Sequence, residues 1–184
     1  MTIQITRISG CSDEGFLSFR ALRTQARKQE LEAFTAGYSA PALLVVDVIA
    51  GAPTGDPEAT VRAGDSFKAL LDKESSAYRY LNEVGFLVKR PGNPFATFVA
   101  LGRAANNDLV LALETVSKFH CYFTCEDGRW SVTDQNSTNG TEVNGRALEP
   151  GTAQALEDGD RIRLGDEITV VFLTPEALYA RARG

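Results

Sequence analysis

Gly102-Arg103-Ala104-Ala105-Asn106-Asn107-Asp108, Val116-Ser117-Lys118-Phe119-His120 and Asp134-Gln135-Asn136-Ser137-Thr138-Asn139-Gly140-Thr141 are three polar loops set between short apolar runs. The stretch they span, Leu101 to Thr141, decides how the rest of the chain is read. The flanking runs are only a few residues long and alternate or are wholly apolar, the pattern of strands rather than helices. Each loop offers a donor suited to an anion. The first has the guanidinium of Arg103, the second the hydroxyl of Ser117 with the ammonium of Lys118, the third the hydroxyl of Thr138 with the amide of Asn139. The expectation is that the three converge at one end of a β-sandwich and hold a phosphate.

The same texture runs on from Val84 towards the C-terminus. Strands are expected near Val84–Lys89, Ala96–Leu101, Leu109–Leu111, His120–Cys125, Trp130–Thr133, Glu142–Val143, Ala153–Leu156, Arg161–Leu164 and Ile168–Leu173. Turn signals separate them: Pro91-Gly92-Asn93-Pro94, Asp127-Gly128, Asn144-Gly145, Pro150-Gly151, Asp158-Gly159 and Gly165-Asp166. Many short strands with this punctuation indicate an all-β sandwich or barrel. Pro175 to Arg183 reads as a short terminal helix.

Upstream the texture differs. Met1 to Arg7 alternates as a short strand would. Ser12 suits a helix cap, and Phe16, Phe19, Leu22, Ala26 and Phe34 then fall near helical spacing, opposite Arg20, Arg23, Arg27 and Lys28. Ala42 to Ala50 is an apolar run whose β-branched content favours a strand, without excluding a buried helix. Gly51 to Gly64 reads as a loop and Ser66 to Asn82 as a second helix. Three regions follow. Residues 1–82 form a mixed α/β or helical region without an assigned role, 83–175 the sandwich, and 176–184 a short tail or helix.

Bulk properties narrow the function. A chain of 184 residues with 43% hydrophobic and 23% charged residues fits a soluble globular protein. The formal net charge of −5 argues against nucleic-acid binding, which needs a basic footprint. No stretch approaches the roughly 20 apolar residues of a membrane span, and no targeting segment is visible, so a cytoplasmic location is expected. Cys11, Cys121 and Cys125 are odd in number and lack metal-type spacing, which fits a reducing compartment.

On these residues the chain resembles the forkhead-associated (FHA) domain family, of bacterial type. Gly102-Arg103 with Asn107-Asp108-Leu109, Ser117 and His120 three apart, and Ser137-Thr138-Asn139-Gly140-Thr141 with Asn144-Gly145 match its signature in order and spacing. Leu156 to Ile162 and Leu164-Gly165 match its late strands. The resemblance covers roughly Val84 to Thr174. It implies a mainly β fold, an eleven-stranded sandwich, whose loops at one end bind phosphothreonine peptides. On those terms Arg103, Ser117, Lys118 and Thr138 meet the phosphate and Asn139 holds the peptide main chain. His120 ties loops together, and Gly102, Gly140, Asn144 and Gly145 serve backbone geometry. Lys118 departs from the Asn or Arg frequent at its position, which bears on peptide selectivity.

Other chemistry is not supported. Asp134 to Gly140 approaches a calcium loop, but its glycine comes one place late and Gly145 stands where the bidentate acid belongs. There is no phosphate-binding Gly-x-x-x-x-Gly-Lys-Ser/Thr loop, no zinc set and no Ser-His-Asp arrangement. The expectation is a non-enzyme with no cofactor and no metal. Its partner would be a phosphothreonine protein, substrate or regulator of a Ser/Thr kinase. The alternative is a scaffold or secretion-machinery component using the fold for phosphate-independent contacts. Thr54, in Gly51-Ala52-Pro53-Thr54-Gly55-Asp56-Pro57, offers a modification site that the FHA-like domain would bind, although an unmodified linker is the preferred reading.

Overall fold

The computed structural model describes residues 8–48, 77–91, 93, 95 and 97–184. Strand β1 is Phe16–Ser18, followed by helices α1 (Phe19–Lys28) and α2 (Leu31–Gly37) and strand β2 (Ala42–Val48). A 3-10 turn at Tyr78–Tyr80 leads to β3 (Glu83–Phe86). Then come β4 (Val99–Gly102), β5 (Leu109–Val110), β6 (Cys121–Glu126), β7 (Arg129–Asp134) and β8 (Thr141–Val143). The chain ends with β9 (Arg146–Ala147), β10 (Ala153–Ala155), β11 (Arg161–Leu164), β12 (Ile168–Leu173) and α3 (Pro175–Arg183).

The strands form two sheets, a seven-stranded one in the order β1-β3-β2-β12-β11-β8-β9 and a five-stranded one in the order β10-β7-β6-β4-β5. The short β4–β5 pairing is parallel, with Leu101 opposite Leu109. The sheets face each other over a core that includes Leu43, Val45, Leu101, Phe123, Ile162, Val170 and Phe172. The expected β-sandwich is therefore present, with β1 as an added edge strand.

The seven-stranded sheet has a third layer on its outer face. Leu22 and Ala26 of α1, Phe34 of α2, and Leu178, Tyr179 and Ala182 of α3 bury against Ala42, Leu44, Val171 and Leu173. This explains the composition of β2 and β12. Both faces of each strand are covered, so alternation gives way to near-continuous apolar runs. Burying Phe34 alone contributes about 2–3 kcal/mol. Thr174 caps α3, its hydroxyl accepting from the Ala177 N–H at 3.3 Å, and Pro175 opens the helix, where a missing N–H costs nothing.

Three sequence expectations are corrected. A division between residues 82 and 83 does not bound the sandwich, because β2 lies inside the seven-stranded sheet, paired with β12 from Val48–Ile168 to Ala42–Leu173. The helix expected to start at Ser12 does not. Ser12 Oγ accepts from the Phe16 N–H, and Phe16-Leu17-Ser18 pair with β3 instead. Tertiary pairing overrides a helical spacing that was only approximate. The helix is also broken at Gln29 and Glu30, both extended. The Tyr179 hydroxyl donates to the Gln29 carbonyl at 3.0 Å, satisfying an acceptor that the break leaves open. Strands β11 and β12 and helix α3 fall where the sequence placed them. The strand expected over residues 1–7, the loop with Thr54, and most of the second helix lie outside the described residues.

Candidate functional site

The loops between β4 and β5, β5 and β6, β7 and β8, and β11 and β12 lie at the same end of the sandwich. Backbone bonds join them. The Arg103 N–H donates to the Ser117 carbonyl at 3.0 Å and the Ala104 N–H to the Lys118 carbonyl at 3.2 Å. The Gly165 N–H donates to the Gly140 carbonyl at 3.0 Å. Side chains complete the rim. The Thr138 N–H donates to Ser117 Oγ at 2.9 Å, and the Ser117 hydroxyl lies 3.3 Å from Thr138 Oγ1. Asn139 Nδ2 donates to the Thr115 carbonyl at 2.9 Å. Thr115 in turn donates its hydroxyl proton to Glu167 at 2.9 Å.

Gly102 is a glycine because of this approach. A Cβ there would sit 2.5 Å from the Lys118 carbonyl oxygen and 2.9 Å from Asn107 Nδ2. Its role is close passage of two loops, whereas Gly140 and Gly145 have positive φ and serve turns. Asn144 and Gly145 form the tight β8–β9 turn at the far end of the sandwich. Asn144 Nδ2 donates to Asp160 Oδ1 at 2.7 Å and its Oδ1 accepts from the Arg161 N–H.

His120 is fully buried. Its Nδ1 accepts from the Ser117 N–H at 3.1 Å, which leaves the proton on Nε2 to donate to the Gly140 carbonyl, also at 3.1 Å. One ring thus fixes the loop of Ser117 against that of Asn139. Burial pushes its pKa below the ordinary histidine value despite the Gly140 bond and the nearby Asp134 charge, so the neutral form is favoured. Asp134 braces the third loop. It accepts from the Ser137 N–H, the Ser137 hydroxyl and the Thr141 hydroxyl. Burial would raise this carboxyl, but these bonds outweigh it and hold the pKa below the usual carboxylate range.

A second brace is only half legible in the sequence. Lys89 and Asp108, 2% and 1% exposed, form an ion pair of 2.6 Å. Lys89 Nζ also donates to the Phe98 carbonyl. Asp108 further accepts from the Arg90 and Ala100 N–H groups, and Asn107 Nδ2 donates to the Ala104 and Lys118 carbonyls. These bonds fix the loop that carries Arg103. The Asn107-Asp108 pair was visible as a motif; Lys89 was not.

Arg103 and Lys118 are exposed, and neither has a carboxylate partner among the described residues. The rim loops therefore carry two cationic residues without an acid partner, two hydroxyls, and an amide whose Oδ1 has no partner, all among the described residues. Of the five residues expected to bind, Ser117 and Thr138 are bonded to each other, and the Asn139 side chain bonds the Thr115 carbonyl in the loop that carries Ser117. Arg103 and Lys118 are brought to the same rim through their backbones.

A two-sheet sandwich with anion-suited donors gathered on the loops at one end defines the class. This chain belongs to the FHA domain family. The FHA domain model matches residues 99–165. The oxoglutarate dehydrogenase inhibitor of Corynebacterium efficiens is 33% identical over 141 residues, 67% of this chain and 96% of the relative. The glycogen accumulation regulator GarA of Mycolicibacterium smegmatis is 36% identical over 94 residues, 48% of this chain and 57% of the relative. Among solved structures, the FHA domain of an Arabidopsis thaliana hypothetical protein is 23% identical, with a TM-score of 0.48, covering 73% of this chain and 85% of that one. The two curated relatives are an inhibitor and a regulator by name. Among the described residues, no helix is long and apolar enough to cross a membrane.

Proposed function

We propose that this chain is a phosphothreonine-binding module that recruits a protein phosphorylated by a Ser/Thr kinase, and that it acts by binding rather than catalysis. The observation that supports this reading is that Arg103 and Lys118, without an acid partner among the described residues, lie on loops whose backbones are bonded together, and that the Ser117 side chain bonds the loop of Thr138. Phosphothreonine brings about −1.5 to −2 charges and three acceptor oxygens. Arg103 makes a bidentate, charge-assisted contact. Lys118 adds charge. Ser117 turns its proton from Thr138 Oγ1 to a phosphate oxygen, and the Thr138 hydroxyl takes another. Asn139 keeps one amide hydrogen on Thr115 and uses Oδ1 for a peptide N–H. Hydrogen bonds to charged groups contribute about 1.5–3 kcal/mol each. Three or four, less the entropy of association, give affinity of about a micromolar.

The binding unit begins at β2, with the helices as its brace, and a kinase-modified partner fits a cytoplasmic setting. The test is calorimetric titration of the full chain with a degenerate phosphothreonine peptide pool and with its phosphoserine and unphosphorylated counterparts. Saturable binding to the first, much weaker binding to the second and none to the third are expected. Equal, weak binding to all three contradicts the reading.

A further inference from the structure

The helices cover the outer face of the seven-stranded sheet. The outer face of the five-stranded sheet instead carries four aromatic rings. Phe98 packs on Tyr122 with centroids 4.9 Å apart and stacks on Phe119 at 5.9 Å, the latter two rings nearly parallel. Phe119 lies 6.1 Å from Tyr122, and Phe95 stacks on Phe98 at 5.0 Å while remaining 42% exposed. Phe98, Phe119 and Tyr122 are only half-buried. A contiguous cluster of partly exposed rings marks an interaction surface more often than an isolated apolar side chain does.

Two features connect this shelf to the rim. Phe119 directly follows Lys118 in the loop of Ser117. The same buried pair braces both sites, because Asp108 closes the Arg103 loop while its partner Lys89 donates to the Phe98 carbonyl and lies 5.9 Å from the Phe98 ring centroid. Phe98 and Arg103 stand at opposite ends of β4, roughly 16 Å apart by strand rise, a span an extended peptide covers in about five residues.

We infer that this shelf seats a large apolar side chain of the same polypeptide whose phosphothreonine occupies the rim, about five residues along from it. The inference rests on the phosphothreonine reading above and specifies its partner further. The rings are already stacked on one another, so little side-chain entropy is lost when a partner docks. A partner with its apolar residue at another offset places that side chain in water and gains nothing from the shelf.

The test titrates the full chain with alanine-rich phosphothreonine peptides. One has no large apolar residue, and in the others a single Leu is moved one position at a time away from the phosphothreonine on either side. Leu in a narrow window on one side, about five residues out, is expected to tighten binding about five- to tenfold. That gain should vanish in F95A and in Y122T, while both variants bind the Leu-free peptide as the wild type does. A wild type indifferent to Leu position, or a gain that survives in both variants, overturns the shelf. Sedimentation that shows self-association abolished by F95A assigns the shelf to a second copy and also overturns it. Failure of the wild type to bind even the Leu-free peptide removes the phosphothreonine reading itself, a result distinct from failure of the shelf alone.

Discussion

Ser117 Oγ lies 2.9 Å from the Thr138 amide nitrogen and accepts its proton, joining two loops separated by 21 positions in the chain. The hydroxyl proton is the part of this contact available to a ligand, since Thr138 Oγ1 is a weaker partner at 3.3 Å. Ser117→Ala removes both functions at an accessible site, where water replaces the lost partner. Stability should change by no more than about 1 kcal/mol in urea unfolding. Phosphopeptide affinity should fall about ten- to a hundredfold by calorimetry.

Arg103 separates charge from geometry. Its guanidinium is exposed and without an acid partner among the described residues, so Arg103→Ala should alter stability by less than about 0.5 kcal/mol. Affinity for phosphothreonine peptide should fall more than about a hundredfold. Arg103→Lys keeps the charge but loses the bidentate fork, and an intermediate loss of about tenfold is expected from parallel titrations.

The Lys89–Asp108 pair should behave as a buried structural brace. Lys89→Met leaves the Asp108 carboxylate buried without its cation, at a cost of about 3–5 kcal/mol in urea unfolding. Replacing both residues with apolar ones should not restore the fold, because the Arg90 and Ala100 N–H groups would lose their acceptor.

Gly102→Ala tests the close passage of the first two loops. The new Cβ meets a backbone carbonyl at 2.5 Å, so the loops must separate. A loss of about 1–3 kcal/mol is expected, with weaker phosphopeptide binding because Arg103 moves away from Ser117. Thermal unfolding and calorimetry read the two effects.

Acid should weaken the fold through His120. Its folded pKa is depressed by burial, so the unfolded chain takes up a proton first as pH falls below about 6.5, and stability declines from there towards the folded pKa. Glu83 acts in the opposite sense, since burial raises its carboxyl and its contribution is lost as pH rises above about 4.5. Asp134, held low, adds a further loss only below about 3.8. Urea unfolding of Glu83→Gln at steps between pH 7.5 and 5.5 therefore isolates the only histidine in the chain. Stability should fall with pH across that range.

The parts of this structure legible in sequence are those set by local chemistry. Asp127-Gly128 and Asn144-Gly145 adopt the positive φ that tight hairpins need, so the strands on either side could be bounded by reading turns. The loop residues around Arg103, Ser117 and Asn139 form a motif because each lies within a few residues of a strand end. What stayed hidden depends on distant partners. The apolar run of β2 is ambiguous alone and becomes a strand by pairing with β12 more than a hundred residues later. Phe16 fits a helical stripe as well as a strand, and β3 decides between them. Lys89 has no local mark at all, because its meaning comes from Asp108 across the fold.

The most direct test of the rim is a nitrogen-15 NMR titration of the full chain with O-phospho-threonine. The backbone amides of Arg103, Ser117, Thr138 and Asn139 should shift together and saturate along one curve, with Asn144 and Gly145 at the far end unmoved. Shifts confined to a single loop, or loops that saturate at different concentrations, would contradict a common phosphate site.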